Sequence, residues 1–219
     1  MRLVLVGPPG SGKGTQAEKL VERLGLTYVG TGDILRDAIA RGTEMGRRVK
    51  PLMDRGLLVP DPEVNDVVAE LFRGPNRPDC FVMDGYPRTY SQAIAFDALL
   101  RQEMLALDAV VNLTIPDDEV IRRISGRRCC ANRSCGVCFN VHYKQSKVAN
   151  KCDKCGSALV LRDDDKEETV RRRLGEFHKN TELLINHYRQ QNLVRDVSAT
   201  DAPEAIYQNI VKAIRADAK

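Results

Sequence analysis

The stretch that decides the fold is GPPGSGKGT, residues Gly7–Thr15. It nearly matches G-x-x-x-x-G-K-[ST], a loop whose backbone N–H groups wrap a phosphate. Lys13 stands where it could reach the outer phosphates, but Gly14 occupies the position of the usual Ser or Thr. An apolar run, 2–6, precedes the loop, and a segment with apolar residues at helical spacing follows it. The pattern therefore predicts a strand, a glycine-rich turn and a helix whose positive end faces the phosphate.

Glycine at position 14 changes how a magnesium ion can be held. A hydroxyl at this position normally binds the ion, so here the ion must be positioned by carboxylates through the waters it retains. Thr15, one position late, can still contact a phosphate. Two carboxylates are candidates for the magnesium role, Asp33 in TGD and Asp84 in MDGYPR. Asp84 ends a predicted strand, and ligands gather at the carboxyl ends of parallel strands.

Short apolar runs alternate with helical patterns along most of the chain. The predicted strands are 2–6, 27–30, 80–85, 109–116 and 193–198. This alternation predicts an α/β fold, a parallel β-sheet flanked by helices on both faces. The pattern breaks down between 126 and 161, where we expect an insertion without a core helix. The acid-rich segment 163–191 is predicted to form one long helix.

Composition narrows the class of protein. The 219 residues are 42% hydrophobic and 29% charged, which is ordinary for a globular protein with its own core. No apolar run approaches the roughly 20 residues that span a bilayer, so we expect a cytoplasmic protein with no membrane contact. A net charge of +4 is too small to indicate a nucleic-acid partner. The predicted core needs no partner chain, so a monomer is expected.

The cysteines are concentrated in one segment. Six of the seven lie between Cys129 and Cys155, and Cys80, which stands apart, is expected to pack in the core. We expect no secretory signal, and in a cytoplasmic protein such clustering favours a metal site over disulfides. Cys152 and Cys155 form a C-x-x-C pair followed by glycine, which is half of a typical metal site. The candidates for the other half are Cys129, Cys130, Cys135 and Cys138.

Five motifs together resemble one family. GPPGSGKGTQA, TGDILR, DGYPRT, GRR and RDDDKEETVRRRL occur in this order along essentially the whole chain and resemble adenylate kinase, in the bacterial form whose long lid carries a metal site. The resemblance implies a P-loop kinase fold and the reversible reaction MgATP + AMP = 2 ADP, which serves adenine nucleotide homeostasis. It also implies a core of 1–29, 60–125 and 167–219, a helical AMP-binding domain at 30–59 and a lid at 126–166.

The resemblance further implies roles for single residues. The positions that match ATP contacts are Gly10, Ser11, Gly12, Lys13, Gly14, Thr15, Arg123, Arg127, Cys138 and Phe139. The positions that match AMP contacts are Thr31, Arg36, Leu57, Leu58, Val59, Gly85, Tyr86, Pro87, Arg88, Gln92, Arg162 and Arg173. The implied catalytic set is Lys13, Asp84, Arg88, Arg123, Arg162 and Arg173.

Five residues receive finer assignments. In the resemblance, Gln92 pairs with an edge of the AMP adenine, because an amide can donate and accept one hydrogen bond each. Asp164 and Asp165 match acids that link the lid to the core on closure. Arg171 and its neighbour Arg172 are expected to face solvent or to pair with acids one helical turn away.

The family pattern also selects a set of metal ligands. Four thiolates suit a structural Zn²⁺ ion, with Fe²⁺ or Co²⁺ as other possibilities. The first pair has four intervening residues instead of the usual two, so Cys129 and Cys138 remain open as alternative ligands. The preferred ligands are Cys130, Cys135, Cys152 and Cys155.

Three other functions compete with this interpretation. A kinase for another nucleoside monophosphate, or one that uses GTP, is disfavoured by Gln92, Thr31 and the apolar segment 57–59. A nucleic-acid module with a zinc ribbon would need basic and aromatic residues interleaved on one face, yet aromatic residues are only 5% of the chain. A switch protein that hydrolyses nucleotide slowly would normally keep the hydroxyl that Gly14 lacks.

Overall fold

The computed structural model describes residues 1–132 and 134–216, with the side chain of Asp163 outside the description. No helix among these described residues is both long and apolar enough to cross a lipid bilayer. The strands and helices are, in chain order, β1 Arg2–Val6, α1 Lys13–Leu24, β2 Thr27–Gly30, α2 Thr31–Ala40, α3 Glu44–Asp54, α4 Asp61–Arg73, β3 Phe81–Asp84, α5 Tyr90–Gln102, β4 Ala109–Thr114, α6 Asp117–Ser125, β5 Arg127–Cys130, β6 Cys138–Asn140, β7 Leu159–Val160, α7 Glu167–Gln190, β8 Val194–Ser198 and α8 Pro203–Arg215.

The large sheet is parallel, with strand order β2-β3-β1-β4-β8. Side chains of β1 alternate between its two faces, so Val4 and Val6 enter one apolar cluster while Leu3 and Leu5 enter the other. Because helices cover both faces, the central strands β1, β3 and β4 are mostly apolar and buried. The edge strand β8 instead carries Arg195 and Asp196. The predicted α/β class and the five predicted core strands are confirmed.

An aromatic group forms the centre of the first cluster. Phe72 of α4, Phe81 of β3 and Phe96 of α5 are fully buried. The ring of Phe72 lies 5.1 Å from that of Phe81 and 5.7 Å from that of Phe96, both edge to face. These contacts fix α4 and α5 against the sheet, and Tyr86 extends the group towards the strand ends, 5.3 Å from Phe96.

The cysteine-rich segment contains a second, small sheet. β5 pairs with both β6 and β7, and both pairings are antiparallel. The cluster beneath it consists of buried Cys130, Phe139 and Cys152, with Val137 and Leu159 packed against them. The described residues of 126–161 form no helix, as expected, whereas these short strands were not predicted.

The predicted long helix begins later than expected. Asp163–Asp165 form a separate 3-10 turn, and α7 begins at Glu167. Lys166 between them has extended backbone, with φ −63° and ψ 140°. The acids do not continue the helix because Asp164 and Asp165 pair with arginines of neighbouring elements instead.

The expectation that Cys80 packs in the core is wrong, since the residue is exposed. It lies just before β3, where the chain has not yet entered the sheet. Its backbone carbonyl accepts a hydrogen bond from the amide of Thr27, at 2.9 Å, and its sulfur accepts one from the amino terminus of Met1, at 3.1 Å.

Candidate functional site

The glycine-rich loop lies between β1 and α1, at the carboxyl edge of the sheet. Gly12 caps α1 with a φ of 92°, a value that L side chains rarely adopt. At Gly10 there is no room for a side chain, because a Cβ would lie 2.7 Å from Cγ1 of Ile124 in α6. Lys13 folds back over this loop, and its Nζ donates to the carbonyls of Gly7, at 2.8 Å, and Pro8, at 2.9 Å.

Several predicted residues form a charge cluster around Lys13. Desolvation lowers the pKa of Lys13 to about 8, and the carboxylate of Asp84 opposes this shift. The positive charges of Arg88, Arg173 and Arg127 lower it further. Four predicted side chains, from three separate parts of the sequence, therefore act on the same lysine.

Two further arginines are strongly affected by their surroundings. Desolvation lowers the pKa of Arg162 to about 10, and the charges of Arg36 and Arg127 act in the same direction. Desolvation likewise lowers the pKa of Arg173 to about 10, although Asp164 opposes the shift. Such crowding of cations in a desolvated cleft is unfavourable without an anion, so the arrangement suits a polyanionic ligand.

Two aspartates hold parts of the cluster in place. Arg173 donates to the carboxylate of Asp164, at 3.0 Å, and to its carbonyl, at 3.1 Å. Arg127 makes a bidentate ion pair with Asp165, whose side chain is fully buried. These pairs connect β5 of the small sheet, the 3-10 turn and α7.

Asp84 lies next to the unusual glycine. It ends β3, in register with Leu5 of β1 and Gly30 of β2. A Cβ at Gly14 would lie 3.8 Å from Oδ2 of Asp84, so the carboxylate faces the position where related loops carry a hydroxyl. The second magnesium candidate, Asp33, accepts a hydrogen bond from Arg36, at 2.7 Å.

A hydroxyl with no role in the sequence prediction joins the two candidates. Tyr28 of β2 donates to Oδ2 of Asp33, at 2.9 Å, and its oxygen lies 3.5 Å from Oδ2 of Asp84. Burial would raise the pKa of Asp33, but the charge and hydrogen bond of Arg36, together with the Tyr28 hydroxyl, lower it overall. The available sequence signal was the pairing of a bulky Tyr28 with Gly30 on the same face of a strand.

The residues predicted to contact AMP gather around the loop after β3. The hydroxyl of Thr31 and Nε of Arg88 both donate to the carbonyl of Gly85, at 2.9 and 2.7 Å. Tyr86, which is followed by cis Pro87, is buried.

The amide of Gln92 is already engaged in this conformation. Its Oε1 accepts from the backbone N–H of Arg88 at 2.7 Å, and its Nε2 donates to Asp61 at 2.7 Å. Gln92 is only 2% exposed. One donor and one lone pair of the amide remain for an adenine edge, so its predicted role stays a prediction. Asp61, which orients this amide, was not singled out from the sequence.

The apolar segment 57–59 follows α3. Leu57 and Leu58 are half-buried, and Val59 is buried in the first cluster. Together they form an apolar border between α3 and α4. Their contact with an adenine remains a prediction.

The remaining arginines differ in their surroundings. Arg123 donates to Glu119, at 2.9 Å, and to the carbonyl of Ala199, at 2.8 Å, which are partners outside the charge cluster. Arg171 pairs with Glu167 and Arg172 with Glu168, each one turn away on α7. The expectation for Arg171 and Arg172 is therefore confirmed.

Four thiols meet in the small sheet. The sulfurs of the preferred ligand set all lie within 4.8 Å of one another. Two S···S separations are 3.3 Å and 3.7 Å, close to the about 3.8 Å expected for tetrahedral Zn²⁺ with bonds of about 2.3 Å. Gly136 and Gly156, which follow the two pairs, have φ values of 65° and 74° and make the tight turns. The cluster consists of Cys130, Cys135, Cys152 and Cys155.

The alternative ligands Cys129 and Cys138 lie outside this cluster. They face each other across β5 and β6 and form a disulfide. The expectation that clustering favours metal over disulfides is therefore wrong for this pair, because their cross-strand register brings the sulfurs together. Cys138 also accepts a hydrogen bond from Arg162, at 3.3 Å, whereas its predicted place near the ATP adenine remains a prediction.

Comparisons with known proteins agree with this geometry. The family profile described as "Adenylate kinase" matches residues 5–193. An adenylate kinase of Archaeoglobus fulgidus is 46% identical over 96% of this chain and 96% of its own length. Adenylate kinases of Thermodesulfovibrio yellowstonii and Streptomyces avermitilis are also 46% identical, over 96% and 98% of this chain and 97% of their own lengths. The chain therefore belongs to the adenylate kinase family, nucleoside monophosphate kinases that transfer a phosphoryl group between ATP and AMP.

Proposed function

We propose that the carboxylate of Asp84 positions the magnesium ion of MgATP through the ion's waters, in place of the hydroxyl that Gly14 lacks. The observation that carries the proposal is the position of Oδ2 of Asp84, 3.8 Å from where a Cβ at Gly14 would lie. Mg²⁺ commonly keeps several waters and is held by one or two carboxylates and the substrate phosphates, which fits this arrangement. When bound, the ion neutralises charge on the transferring phosphates.

The cations divide into three groups in this proposal. Lys13, Arg123 and Arg127 bind the phosphates of ATP, and Arg36 and Arg88 bind the phosphate of AMP. Arg162 and Arg173 lie between these groups and neutralise the charge that spreads over the transferring phosphoryl oxygens. Phosphoryl transfer needs little covalent help from protein, so fixed cations supply most of the stabilisation. The charges of Arg88, Arg127 and Arg173 act on Lys13, and those of Arg36 and Arg127 act on Arg162, which supports a common phosphate site for these cations.

The domain boundaries predicted from the sequence fit this chemistry. We assign 30–59 to the AMP-binding domain and 126–166 to a lid that excludes water during transfer. The ion pair between Asp164 and Arg173 of α7 joins the proposed lid to the core. Arg172 donates to the carbonyl of Arg55, at 2.7 Å, and so joins the AMP-binding segment to α7.

We further assign the four-thiol cluster to a structural metal, with Zn²⁺ preferred over Fe²⁺ or Co²⁺. All four ligand positions come from protein sulfur, so no open position remains for substrate. The ion would stabilise a lid too small to fold around an apolar core alone. A monomer located in the cytoplasm remains the sequence-based prediction.

Asp84→Asn tests the magnesium proposal, because asparagine keeps the shape and removes the charge. We expect turnover to fall on the order of 100-fold and the half-saturating free magnesium concentration to rise. Asp61→Asn is a matched control on the adjacent helix α4, and we expect it to leave the magnesium requirement unchanged. Unchanged turnover and magnesium dependence in Asp84→Asn would show the assignment to be wrong.

A further inference from the structure

Tyr28 occupies an unusual place beside the proposed magnesium site. Its hydroxyl donates to Oδ2 of Asp33, at 2.9 Å, and lies 3.5 Å from Oδ2 of Asp84. The side chain is 39% exposed, so it borders the open cleft rather than the core. A single phenol thus lies within reach of both carboxylates that the sequence marks as magnesium candidates.

Gly30 makes this position possible. A Cβ at residue 30 would lie 2.4 Å from the hydroxyl oxygen of Tyr28 and 2.6 and 2.7 Å from two of its ring carbons. The backbone of Gly30 has φ −108° and ψ 102°, which any residue adopts, so glycine is required here for space and not for conformation. Any larger residue at 30 would push the phenol away from the carboxylates.

We propose that Tyr28 is a positioning residue that orients Asp33 and Asp84 for the waters of magnesium. The inference rests on the magnesium role proposed for Asp84. Asp33 is held on one oxygen by Arg36 and on the other by Tyr28. The Tyr28 hydroxyl thus fixes Oδ2 of Asp33, and its oxygen also lies next to Oδ2 of Asp84. The single hydroxyl proton of Tyr28 serves both carboxylates, with the shorter hydrogen bond going to Asp33.

The chemistry of a phenol suits this role. Desolvation and the negative charges of Asp84 and Asp33 raise the pKa of Tyr28 far above neutrality. The group therefore remains an uncharged donor across the physiological range. A lysine or arginine in its place would instead compete with magnesium for the carboxylates through its charge.

Tyr28→Phe removes only the hydroxyl. We expect the half-saturating free magnesium concentration to rise about three- to tenfold, the usual consequence of losing one hydrogen bond to a charged group. KM for ATP and AMP at saturating magnesium should change less than twofold. A general loss of structure would instead raise both KM values. Tyr207→Phe, which removes a phenol from the second apolar cluster, is the control and should leave the magnesium requirement unchanged.

Gly30→Ala tests the same idea by displacement. It should raise the magnesium requirement to the level of Tyr28→Phe, because the added Cβ expels the hydroxyl. The double variant should resemble Tyr28→Phe alone, since no hydroxyl remains to be displaced. A wild-type magnesium requirement in Gly30→Ala, or additive shifts in the double variant, would overturn the proposal.

Asp84→Asn, measured beside these variants, separates the two proposals. If it raises the magnesium requirement and Tyr28→Phe does not, the role of Tyr28 is refuted while that of Asp84 stands. If neither variant changes the requirement, the magnesium role of Asp84 fails, and the inference about Tyr28 fails with it. A rise in both, with Tyr207→Phe unchanged, supports both.

Discussion

The two sheets of the molecule are stabilised by different means. The large parallel sheet places apolar side chains on both faces, and Leu3, Val4 and Leu5 of β1 are at most 2% exposed. The small antiparallel sheet has strands of two to four residues, and Val160 of β7 is 44% exposed. Cysteines make up three of the six residues in the cluster beneath it. A segment too small to bury much apolar surface can use cross-links instead.

The largest effect should follow from a change in the core. Phe72→Ala removes a fully buried ring that packs against two other phenylalanines. We expect the free energy of unfolding, measured in urea, to fall by about 3–5 kcal/mol. Leu183→Ala on α7 is the control, because Leu183 is 63% exposed, and its effect should stay within about 0.5 kcal/mol. Equal effects of the two changes would contradict the assigned core.

A smaller effect is expected on ATP binding at Lys13, where charged side chains of both regions act on the same amine. The pKa of Lys13 in the core is lowered to about 8, first by desolvation and also by arginines that include Arg127 of the small sheet. Lys13 therefore loses its proton as pH rises through about 8, and with it the charge that attracts phosphate. We expect the Kd for ATP, measured by calorimetry, to rise about tenfold between pH 7 and pH 9.

Lys13→Arg provides the control for this pH dependence. An arginine keeps its charge throughout this range, so its Kd for ATP should change little between the two pH values whatever its absolute affinity. A parallel pH dependence in the wild type and in Lys13→Arg would mean that a group other than Lys13 titrates.

The smallest effect on the core should come from disrupting the cysteine cluster. Cys152→Ser removes a buried member of the four-thiol set. Hydrogen exchange should show loss of protection in β5, β6 and β7, while protection in β1 and β4 persists and the core loses less than about 1 kcal/mol. Cys80→Ser, which changes an exposed cysteine outside the cluster, should alter neither region. Loss of protection in both sheets would mean that they unfold together.

The core could be predicted because the same local pattern, an apolar strand followed by a helical segment, recurs along the sequence. Alternation of apolar strands with helical segments, and the glycine loop before Lys13, defined the fold and the nucleotide-binding edge. The four-thiol set was also predicted, from the C-x-x-C pair at Cys152 and the family pattern around Cys130. Its convergence to within 4.8 Å agrees with that prediction.

Other features depend on contacts between distant residues. Strands as short as β7 carry too little periodicity to be recognised, and the disulfide of Cys129 depends on its register with β6. The start of α7 depends on Asp165 pairing with Arg127, 38 positions earlier. Tyr28 reaches Asp84, 56 positions later, only because β2 and β3 are neighbours. Sequence patterns alone do not encode these pairings.

Phosphorus NMR with ADP and magnesium as the only substrates tests the central claim most directly. A nucleoside monophosphate kinase that binds two nucleotides together should convert ADP into ATP and AMP in equal amounts until equilibrium, with no inorganic phosphate. Release of inorganic phosphate without AMP would contradict the account, because it would mean that water, and not a second nucleotide, accepts the phosphoryl group.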